Sequence, residues 1–219
     1  GVDLVFVVDT SLSMLAEDVK PSRIEKAKLE MKSFVKKLKG DRVGLIAFSG
    51  SSFLQCPLTL DYAAFFLFLD AVTVGYIPDP GSSLREGLEN ALRSFPKEEK
   101  KYKSVVIFSD GEIHEGMLPS LAKKASEEGV TVYAVGMGTK VGEPIPLKDQ
   151  TGKIAGYKKD RAGQVVVSKL EEEVLRAIAA ETGGLYFAVT PGEREIELIH
   201  QDMKKLGKKE FKKQLVVER

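Results

Sequence analysis

Runs of consecutive apolar residues recur along the chain, and stretches with helical periodicity separate them. The first run, residues 4–8, is rich in β-branched side chains and predicts a strand that is buried on both faces. Similar runs follow at 43–48, 104–108, 130–135 and 185–189. Between them, apolar residues three and four positions apart predict amphipathic helices. We expect these helices at 21–40, 62–72, 83–95, 118–128 and 171–182, with a long final helix from about Glu193.

Strands that alternate with helices indicate an α/β fold with a doubly wound, mainly parallel sheet. Residues 53–56 form a brief apolar stretch before Pro57, and Pro is tolerated at sheet edges, so we expect one short antiparallel edge strand there. Pro21 is expected as the first residue of the first helix, which Gly40 closes. One such sheet accounts for most of the chain, which favours one domain over two.

The segment 138–167 is long for a connection between a strand and a helix. Residues 154–159 and 164–167 can pair through a turn at 160–163, which predicts a β-hairpin insertion near 150–168. After it, Ser168 and Glu171 have the spacing of a capping box for the helix at 171–182.

Composition excludes several classes of protein. The 219 residues are 43% hydrophobic and 30% charged, with a net charge of +1, so bulk electrostatics gives no route to nucleic acid, and we expect no nucleic-acid partner. The single cysteine, Cys56, rules out an internal disulfide and a zinc site of several cysteines. No run of about 18 apolar residues occurs that would cross a bilayer.

Candidate chemistry follows the predicted strands, because ligands of open parallel sheets bind at the carboxyl ends of the strands. Asp9, Ser11 and Ser13 follow the first strand. Asp110 and Glu112 follow the strand at 104–108, and Ser82 and Ser83 stand at the start of the helix at 83–95. Carboxylate and hydroxyl oxygens are hard donors that suit Mg²⁺, with Mn²⁺ or Ca²⁺ as further candidates. The carboxylates and hydroxyls of these three segments are therefore candidate metal ligands.

Each of these residues also has a plain structural interpretation. Asp9, Ser11 and Ser13 can form a turn and a helix cap, and Asp110 with Gly111 can form a turn at a strand end. Ser82 can cap the next helix, and the sequence leaves open whether Ser82 or Ser83 is the ligand. We expect Ser83, Glu112 and His114 at the rim of the predicted metal site, where a protein partner would bind. A solvated loop position is the alternative for His114.

The three segments together resemble the metal-ion-dependent adhesion site of von Willebrand factor A (VWA) domains. Asp9-x-Ser11-x-Ser13 resembles the family's first motif, the loop at 108–112 its second acidic loop, and Gly81-Ser82 its Gly-Thr pair, with Ser in place of Thr. The resemblance covers residues 3–206 and implies a Rossmann-like fold. It also implies that Ser11 and Ser13 bind the metal directly and that Asp9 and Asp110 act mainly through water. Ser82 would bind directly in one state and through water in another.

Further segments, at 13–23, 40–45, 56–62 and 159–161, are similar to the bacterial BatA/BatB group of the aerotolerance operon. These VWA proteins are anchored in the bacterial inner membrane and are encoded near MoxR-type AAA+ ATPases. The resemblance implies a VWA domain at 1–206 and a basic helix or linker at 207–219 that leads to a membrane span outside this chain. The side of the membrane stays open. The sequence begins at Gly1 without an initiator Met, and we expect it to be a piece of a longer protein.

The functional prediction is a metal-dependent protein-interaction module that is not an enzyme. A partner protein would present an Asp or Glu to the metal, and a MoxR-type ATPase or another Bat protein is a candidate partner. A Mg²⁺-dependent phosphatase or phosphotransfer enzyme on a similar sheet is the alternative. Position 11 is Ser, where a haloacid-dehalogenase-type phosphatase would need a second Asp, and no P-loop Lys is present.

Overall fold

The computed structural model describes residues 1–113 and 118–218. Its main sheet has six strands, β1 Asp3–Asp9, β2 Arg42–Phe48, β3 Ser52–Thr59, β4 Lys103–Ser109, β5 Val130–Gly136 and β10 Tyr186–Ala188. Their order across the sheet is β10-β5-β4-β1-β2-β3. All neighbours pair in parallel except β2 and β3, which are antiparallel. The predicted α/β fold with a mainly parallel sheet and one antiparallel edge strand is therefore confirmed. The edge strand is longer than expected.

In the part of the chain that the structure describes, six α-helices cover the two faces of the sheet. They are α1 Arg23–Val35, α2 Tyr62–Asp70, α3 Leu84–Ser94, α4 Leu118–Glu127, α5 Glu173–Glu181 and α6 Arg194–Val217. Helices α1, α2 and α6 pack on one face in a core that includes Phe6, Phe34 and Phe108. Helices α3, α4 and α5 pack on the other face against alternate residues of the same strands, such as Val5 and Val7. Both faces of β1 are buried, which explains its unbroken apolar sequence.

The first helix starts later than Pro21. Ser22 is its N-cap, and the Ser22 hydroxyl accepts a hydrogen bond from the backbone N–H of Glu25. The Ser-x-x-Glu spacing at 22–25 thus outweighs the preference of Pro for a first helical position. The prediction for Pro21 was wrong by two residues.

The insertion after β5 contains two small antiparallel ladders, in which β6 Glu143–Pro144 pairs with β9 Val167–Ser168 and β7 Pro146–Lys148 pairs with β8 Ile154–Tyr157. Asp149 accepts hydrogen bonds from the turn that joins β7 to β8. The expected pairing of 154–159 with 164–167 survives only beside the turn at 160–163, where Lys159 bridges Val165. The insertion therefore contains a turn at 160–163 as predicted, but β8 pairs with β7 and not with residues 164–167.

Helix α6 runs without interruption through the boundary expected at 206/207. Within residues 1–113 and 118–218, no helix combines the length and the apolar character that crossing a membrane demands.

Candidate metal centre

Strand register brings the predicted site loops to one edge of the sheet. Asp9, the last residue of β1, lies opposite Phe48 of β2. On the other side of β1, Val8 lies opposite Phe108 of β4. The loops that follow β1, β2 and β4 therefore begin at the same level, as the sequence predicted for carboxyl ends of parallel strands.

Asp9 is fully buried, and its carboxylate accepts three hydrogen bonds. Asp9 Oδ1 accepts from the backbone N–H of Ser11 at 2.9 Å and from Ser11 Oγ at 2.6 Å. Asp9 Oδ2 accepts from Ser109 Oγ at 2.8 Å. These bonds hold the carboxylate in one orientation and tie the first loop to the end of β4.

Ser13 connects the first loop to the second acidic loop. Its hydroxyl lies 3.2 Å from Ser11 Oγ and donates a hydrogen bond to Asp110 Oδ2. Asp110 is also fully buried, and its other oxygen accepts from the backbone N–H of Glu112 at 3.1 Å. Four of the five predicted ligands thus form one connected network of carboxylates and hydroxyls.

The two serines before α3 have different surroundings. Ser83 is the N-cap of α3, and its hydroxyl accepts a hydrogen bond from Glu86 N at 3.3 Å. Ser82 Oγ is buried and has no hydrogen-bond partner in the described part of the chain. A buried hydroxyl without a partner costs free energy, and such groups are rare in native proteins.

Ser49, which follows β2, holds the Ser82 loop beside the other two loops. Ser49 Oγ donates to the Gly81 carbonyl at 2.9 Å, and Ser49 O accepts from Ser83 N at 2.6 Å. Gly50 approaches the same loop so closely that a Cβ atom there would lie 2.2 Å from the Pro80 carbonyl oxygen. Only glycine fits at this position, because any side chain would push the loop away from β2.

Of the residues predicted at the rim, the structure describes Ser83 and Glu112 but not His114. Glu112 is partly exposed beside Asp110, and Glu112 Oε1 accepts a hydrogen bond from the backbone N–H of Lys169 at 2.9 Å. His114 lies outside the described residues. Gly111, between the two acids, has φ +71°, and a Cβ there would lie 1.9 Å from the Glu171 carbonyl oxygen. The second acidic loop therefore requires glycine for both its conformation and its packing.

Arg23 is a site residue that the sequence reasoning missed. Its guanidinium is fully buried and donates to both carboxylate oxygens of Asp18 at 2.8 Å. It also donates to Asp110 Oδ2 at 3.1 Å and to Ser168 Oγ at 2.7 Å. Because Ser168 is engaged by Arg23, and α5 begins at Glu173 with no side-chain cap, the predicted capping box at 168–171 was wrong. In the sequence, Asp18 and Arg23 lie close together in the segment 13–23, but nothing there indicates their contact with Asp110 and Ser168.

The two buried carboxylates disfavour one another's charge. Burial raises the pKa of Asp9, although hydrogen bonds from Ser11 oppose this. Burial and the nearby charge of Asp9 raise the pKa of Asp110 to about 7, against the opposing effects of Ser13 and Arg23. By contrast, burial acts to raise the pKa of Asp18, but the hydrogen bonds and charge of Arg23 hold it below its usual value. A cation between Asp9 and Asp110 would relieve their repulsion.

The donor set is rich in oxygen and poor in charge. Within residues 1–113 and 118–218, no group of three or more His, Cys, Asp and Glu side chains is arranged to hold a metal ion. A cation at this edge of the sheet would therefore depend on the two carboxylates together with serine hydroxyls. Such a set suits a small, hard divalent cation, and the buried Ser82 Oγ, which has no partner among the described residues, fits as one of its ligands.

Known proteins are similar to this chain in sequence and architecture. Residues 4–112 match the von Willebrand factor type A domain. A crystal structure of an aerotolerance-related membrane protein from Bacteroides fragilis superposes with a TM-score of 0.88 at 36% identity, covering 94% of this chain and 100% of that chain. BatB from Bacteroides thetaiotaomicron gives a TM-score of 0.89 at 37% identity, covering 95% of this chain and 100% of that chain.

More distant relatives are longer or share only the fold. An uncharacterized protein of Borreliella burgdorferi is 30% identical over 198 residues, which cover 86% of this chain and 54% of that protein. The chain spans about half the length of the curated relatives it matches. A mussel byssus thread matrix protein, whose adhesion-site motif holds zinc, has a TM-score of 0.65 at 22% identity, covering 94% of this chain and 45% of that chain. From its sequence, its fold and its similarity to the two Bacteroides proteins, the chain belongs to the von Willebrand factor type A domain family.

Proposed function

We propose that this chain is a protein-interaction module that binds its partner through a divalent cation, Mg²⁺ in the first instance. The observation that carries the proposal is the buried Ser82 Oγ, which has no partner in the described chain and belongs to the loop beside the Asp9 and Asp110 network. A cation would supply the missing partner for Ser82 and would offset the repulsion between Asp9 and Asp110.

The residues present fit such an ion. Ser11 and Ser13 would be direct ligands, and Asp9 and Asp110 would act mainly through water, as the resemblance to adhesion-site motifs implies. Ser82 fits the fifth position better than Ser83, because the Ser83 hydroxyl already caps α3. Mn²⁺ and Ca²⁺ remain candidates, and the zinc in the mussel protein is consistent with a divalent cation at a motif of this kind.

Partner binding would follow from the low charge of the site. Only two carboxylates, Asp9 and Asp110, belong to the donor set, and the serine hydroxyls add no charge, so a divalent cation would stay electrophilic towards a carboxylate of the partner. When bound, such an ion would supply an open coordination position for an Asp or Glu of the partner. Glu112 stands at the rim in this proposal. Ser83 contributes to the rim through its place in the loop.

The chemistry favours binding over catalysis. Asp9 is the carboxylate that a phosphotransfer enzyme would use as its nucleophile, but it is buried and accepts three hydrogen bonds. A carboxylate held in this way is poorly placed to attack a substrate. We therefore favour a module without enzymatic activity over the alternative of a Mg²⁺-dependent phosphatase.

The relatives suggest the setting in which the module acts. The similarity to BatB and to an aerotolerance-related membrane protein supports a role within a Bat protein assembly at the bacterial membrane. Another Bat protein is thus the first partner to test, and a MoxR-type ATPase, which rests on the resemblance alone, is the second. Complex assembly or stress tolerance is the role that this setting favours.

A binding experiment tests the proposal directly. Immobilised wild-type chain is incubated with a bacterial extract in Mg²⁺ or in EDTA, and retained proteins are identified by mass spectrometry. We expect a protein that is retained only with Mg²⁺ and is absent from an Asp9→Asn variant. Asn at position 9 removes the charge but keeps an oxygen that can accept from Ser11. Retention that is equal in EDTA, or equal on the variant, would show that binding does not use the site.

A further inference from the structure

The insertion after β5, residues 139–169, is fastened at both of its ends to loops of the candidate metal site. At its start, Thr139 donates two hydrogen bonds to Asp18 Oδ2, from its backbone N–H at 2.9 Å and from its hydroxyl at 3.0 Å. At its end, the backbone N–H of Lys169 donates to Glu112 Oε1 at 2.9 Å. The insertion therefore lies beside both the first loop and the second acidic loop.

Strand pairing places four apolar side chains of the insertion on one face. Alternate residues of a strand point to the same side of a sheet, and directly paired residues of neighbouring strands do so too. Tyr157 and Lys159 are two residues apart, and Lys159 is paired with Val165. Val167 is two residues after Val165. Ile154 and Tyr157 are paired with alternate residues of β7, so they also point to one side. We call this surface the insertion face, and its apolar members are Ile154, Tyr157, Val165 and Val167.

The insertion face is incompletely covered by the rest of the protein. Its four apolar side chains are between 43% and 48% exposed, so each keeps about half of its surface in contact with water. Neighbouring apolar groups that stay exposed on one face are typical of a site of protein interaction. Three of the four side chains are branched aliphatic groups, and only Tyr157 among them is aromatic.

Positive charge surrounds the insertion face. Residues 139–169 contain seven Lys or Arg against three Asp or Glu, a net charge of +4, whereas the whole chain has a net charge of +1. Lys140 lies 3.3 Å from Glu172, and Lys148 lies 3.8 Å from Glu17 of the first loop. The other five cations form no ion pair in the described part of the chain, namely Lys153, Lys158, Lys159, Arg161 and Lys169. The insertion thus concentrates positive charge beside the candidate metal site.

We propose that the insertion face binds an extended acidic segment of the partner protein that, in the proposed function on which this rests, presents an Asp or Glu to the metal. Carboxylates of the segment would pair with lysines that lack an ion pair within the protein, such as Lys159. Its apolar side chains would cover the four apolar members of the face. Residues 154–159 extend over about 20 Å at a rise of about 3.3 Å per residue, so about six residues of an extended segment would span the face.

Other occupants fit the insertion face less well. A nucleic acid would match the positive charge, but its bases stack on aromatic rings, and three of the four apolar members have none. A second copy of this chain, related by a two-fold axis, would place the same excess of lysines against itself. An acidic protein segment matches both the charge and the apolar side chains.

Fluorescence anisotropy with labelled synthetic peptides tests the proposal on the wild-type chain. The probe is a peptide of about eight residues in which Glu and Val alternate. One control peptide has Ser in place of Val, and the other has Lys in place of Glu. We expect the Glu/Val peptide to bind in EDTA at low salt and to be released as salt is raised towards about 0.5 M. In Mg²⁺ its binding is expected to be at least about tenfold tighter, and both control peptides are expected to bind at least about tenfold more weakly.

Two variants of the insertion separate the charge from the apolar surface. Lys153→Glu/Lys159→Glu reverses two charges on either side of β8 and is expected to weaken binding at least about tenfold. Val165→Thr/Val167→Thr keeps β-branched side chains that suit a strand but replaces two methyl groups by hydroxyls. This variant is expected to weaken binding about fivefold without altering its salt dependence.

The matched control for the charge reversal lies at the other end of the sheet. Lys97 and Lys100 are exposed before the amino end of β4, whereas the candidate metal site follows the carboxyl end of that strand. Lys97→Glu/Lys100→Glu makes the same change of net charge and is expected to bind the peptide within about twofold of wild type. Circular dichroism would confirm that all variants are folded.

The effect of Mg²⁺ distinguishes failure of this proposal from failure of the proposed function. If Mg²⁺ has no effect, but wild type binds the peptide and Lys153→Glu/Lys159→Glu does not, the metal-dependent function is contradicted and the acidic segment is supported. If Mg²⁺ strengthens binding equally in wild type and in both insertion variants, the insertion face is contradicted and the metal-dependent function is supported.

Three further outcomes would overturn the proposal. These are no binding of the Glu/Val peptide, equal binding of either control peptide, and an equal loss of binding in the control variant. Self-association of the chain that Val165→Thr/Val167→Thr abolishes, without binding of any peptide, would identify a second copy of the chain as the occupant.

Discussion

Arg23 and Asp110 form an ion pair in which neither side chain is exposed to solvent, with Arg23 Nη1 3.1 Å from Asp110 Oδ2. The same guanidinium binds Asp18 and Ser168, so it connects the first loop, the second acidic loop and the segment before α5. The predicted metal ligands are thus held in place by groups of the protein itself. A cation would enter a site that is largely formed already.

Replacement of Arg23 by Ala is expected to lower the free energy of unfolding by about 3–5 kcal/mol, because it leaves Asp18 and Asp110 buried without their charge partner. Urea unfolding at neutral pH measures the change. Arg23→Lys, which keeps the charge but loses the planar fork, is expected to cost less. Arg176→Ala is the control, since that arginine is 60% exposed beside Glu172 and its loss is expected to cost less than about 1 kcal/mol. Equal effects at 23 and 176 would contradict a central role for the buried pair.

Replacing Ser82 or Ser83 by Ala is expected to have opposite effects: one variant loses Mg²⁺ affinity and the other loses stability. Ser83→Ala removes the N-cap of α3 and is expected to cost about 1 kcal/mol of stability, with the response to Mg²⁺ retained. Ser82→Ala removes a buried hydroxyl that has no partner, so stability in EDTA is expected to stay level or rise. Its affinity for Mg²⁺ is expected to fall about tenfold or more. Calorimetric titration and thermal unfolding of both variants measure the two effects, and the reverse assignment would identify Ser83 as the ligand.

The stability gained from Mg²⁺ is expected to increase with pH. The pKa of Asp110 is raised from 3.8 to about 7 in the folded chain, so the stability that its proton contributes is complete below 3.8 and is lost as pH rises to about 7. Divalent cations bind the ionised carboxylates, so bound Mg²⁺ would offset this loss. The Mg²⁺-induced rise in melting temperature is therefore expected to be larger at about pH 8 than at about pH 5.5. A rise that is independent of pH would argue against the paired carboxylates as the site.

Glu30 allows a second test of buried charge, away from the candidate metal site. It is fully buried in α1 beside the carboxyl group of Glu195, and Lys26 Nζ lies 3.7 Å away. Burial and the nearby Glu195 raise its pKa from 4.5 to about 10. Its contribution to stability is complete below 4.5 and is lost progressively as pH rises towards 10.

Glu30→Gln keeps the shape of the protonated side chain and removes this titration. The variant is expected to be at least as stable as wild type at about pH 7, and its advantage is expected to grow between about pH 6 and about pH 9. Denaturant unfolding at several pH values measures the difference. A variant that is less stable by the same amount at every pH would show that Glu30 is ionised when folded.

The sheet could be predicted closely because burial on both faces leaves a continuous apolar signal. The run at 43–48, for example, differs from β2 by one residue. Pairing inside the insertion could not be predicted in this way, since β7 and β8 are short and mostly exposed and carry no such pattern. The start of α1 could be predicted from Ser22 and Glu25, because their capping-box spacing outweighs the preference of Pro21 for a first helical position.

In the candidate site, too, some residues could be predicted from the sequence and others could not. Asp9, Ser13 and Asp110 could be chosen because their place in the sequence, directly after buried strands, fixes where they lie in the fold. Arg23 could not, because its partners Asp110 and Ser168 are 87 and 145 residues away and no local pattern connects them. The different surroundings of Ser82 and Ser83 also depend on tertiary contacts, namely those that Ser49 makes with their loop.

Thermal unfolding during a metal titration is the most direct measurement of whether this edge of the sheet binds a divalent cation. Wild type and an Asp9→Asn/Ser11→Ala variant would be compared in EDTA and in increasing Mg²⁺, with Mn²⁺ and Ca²⁺ as parallel series. A ligand that binds only the folded chain raises its stability, so we expect the melting temperature of wild type to rise with Mg²⁺ and that of the variant to stay level. A rise of equal size in both proteins, or no rise in wild type with any of the three ions, would contradict a metal site formed by Asp9, Ser11, Ser13, Ser82 and Asp110.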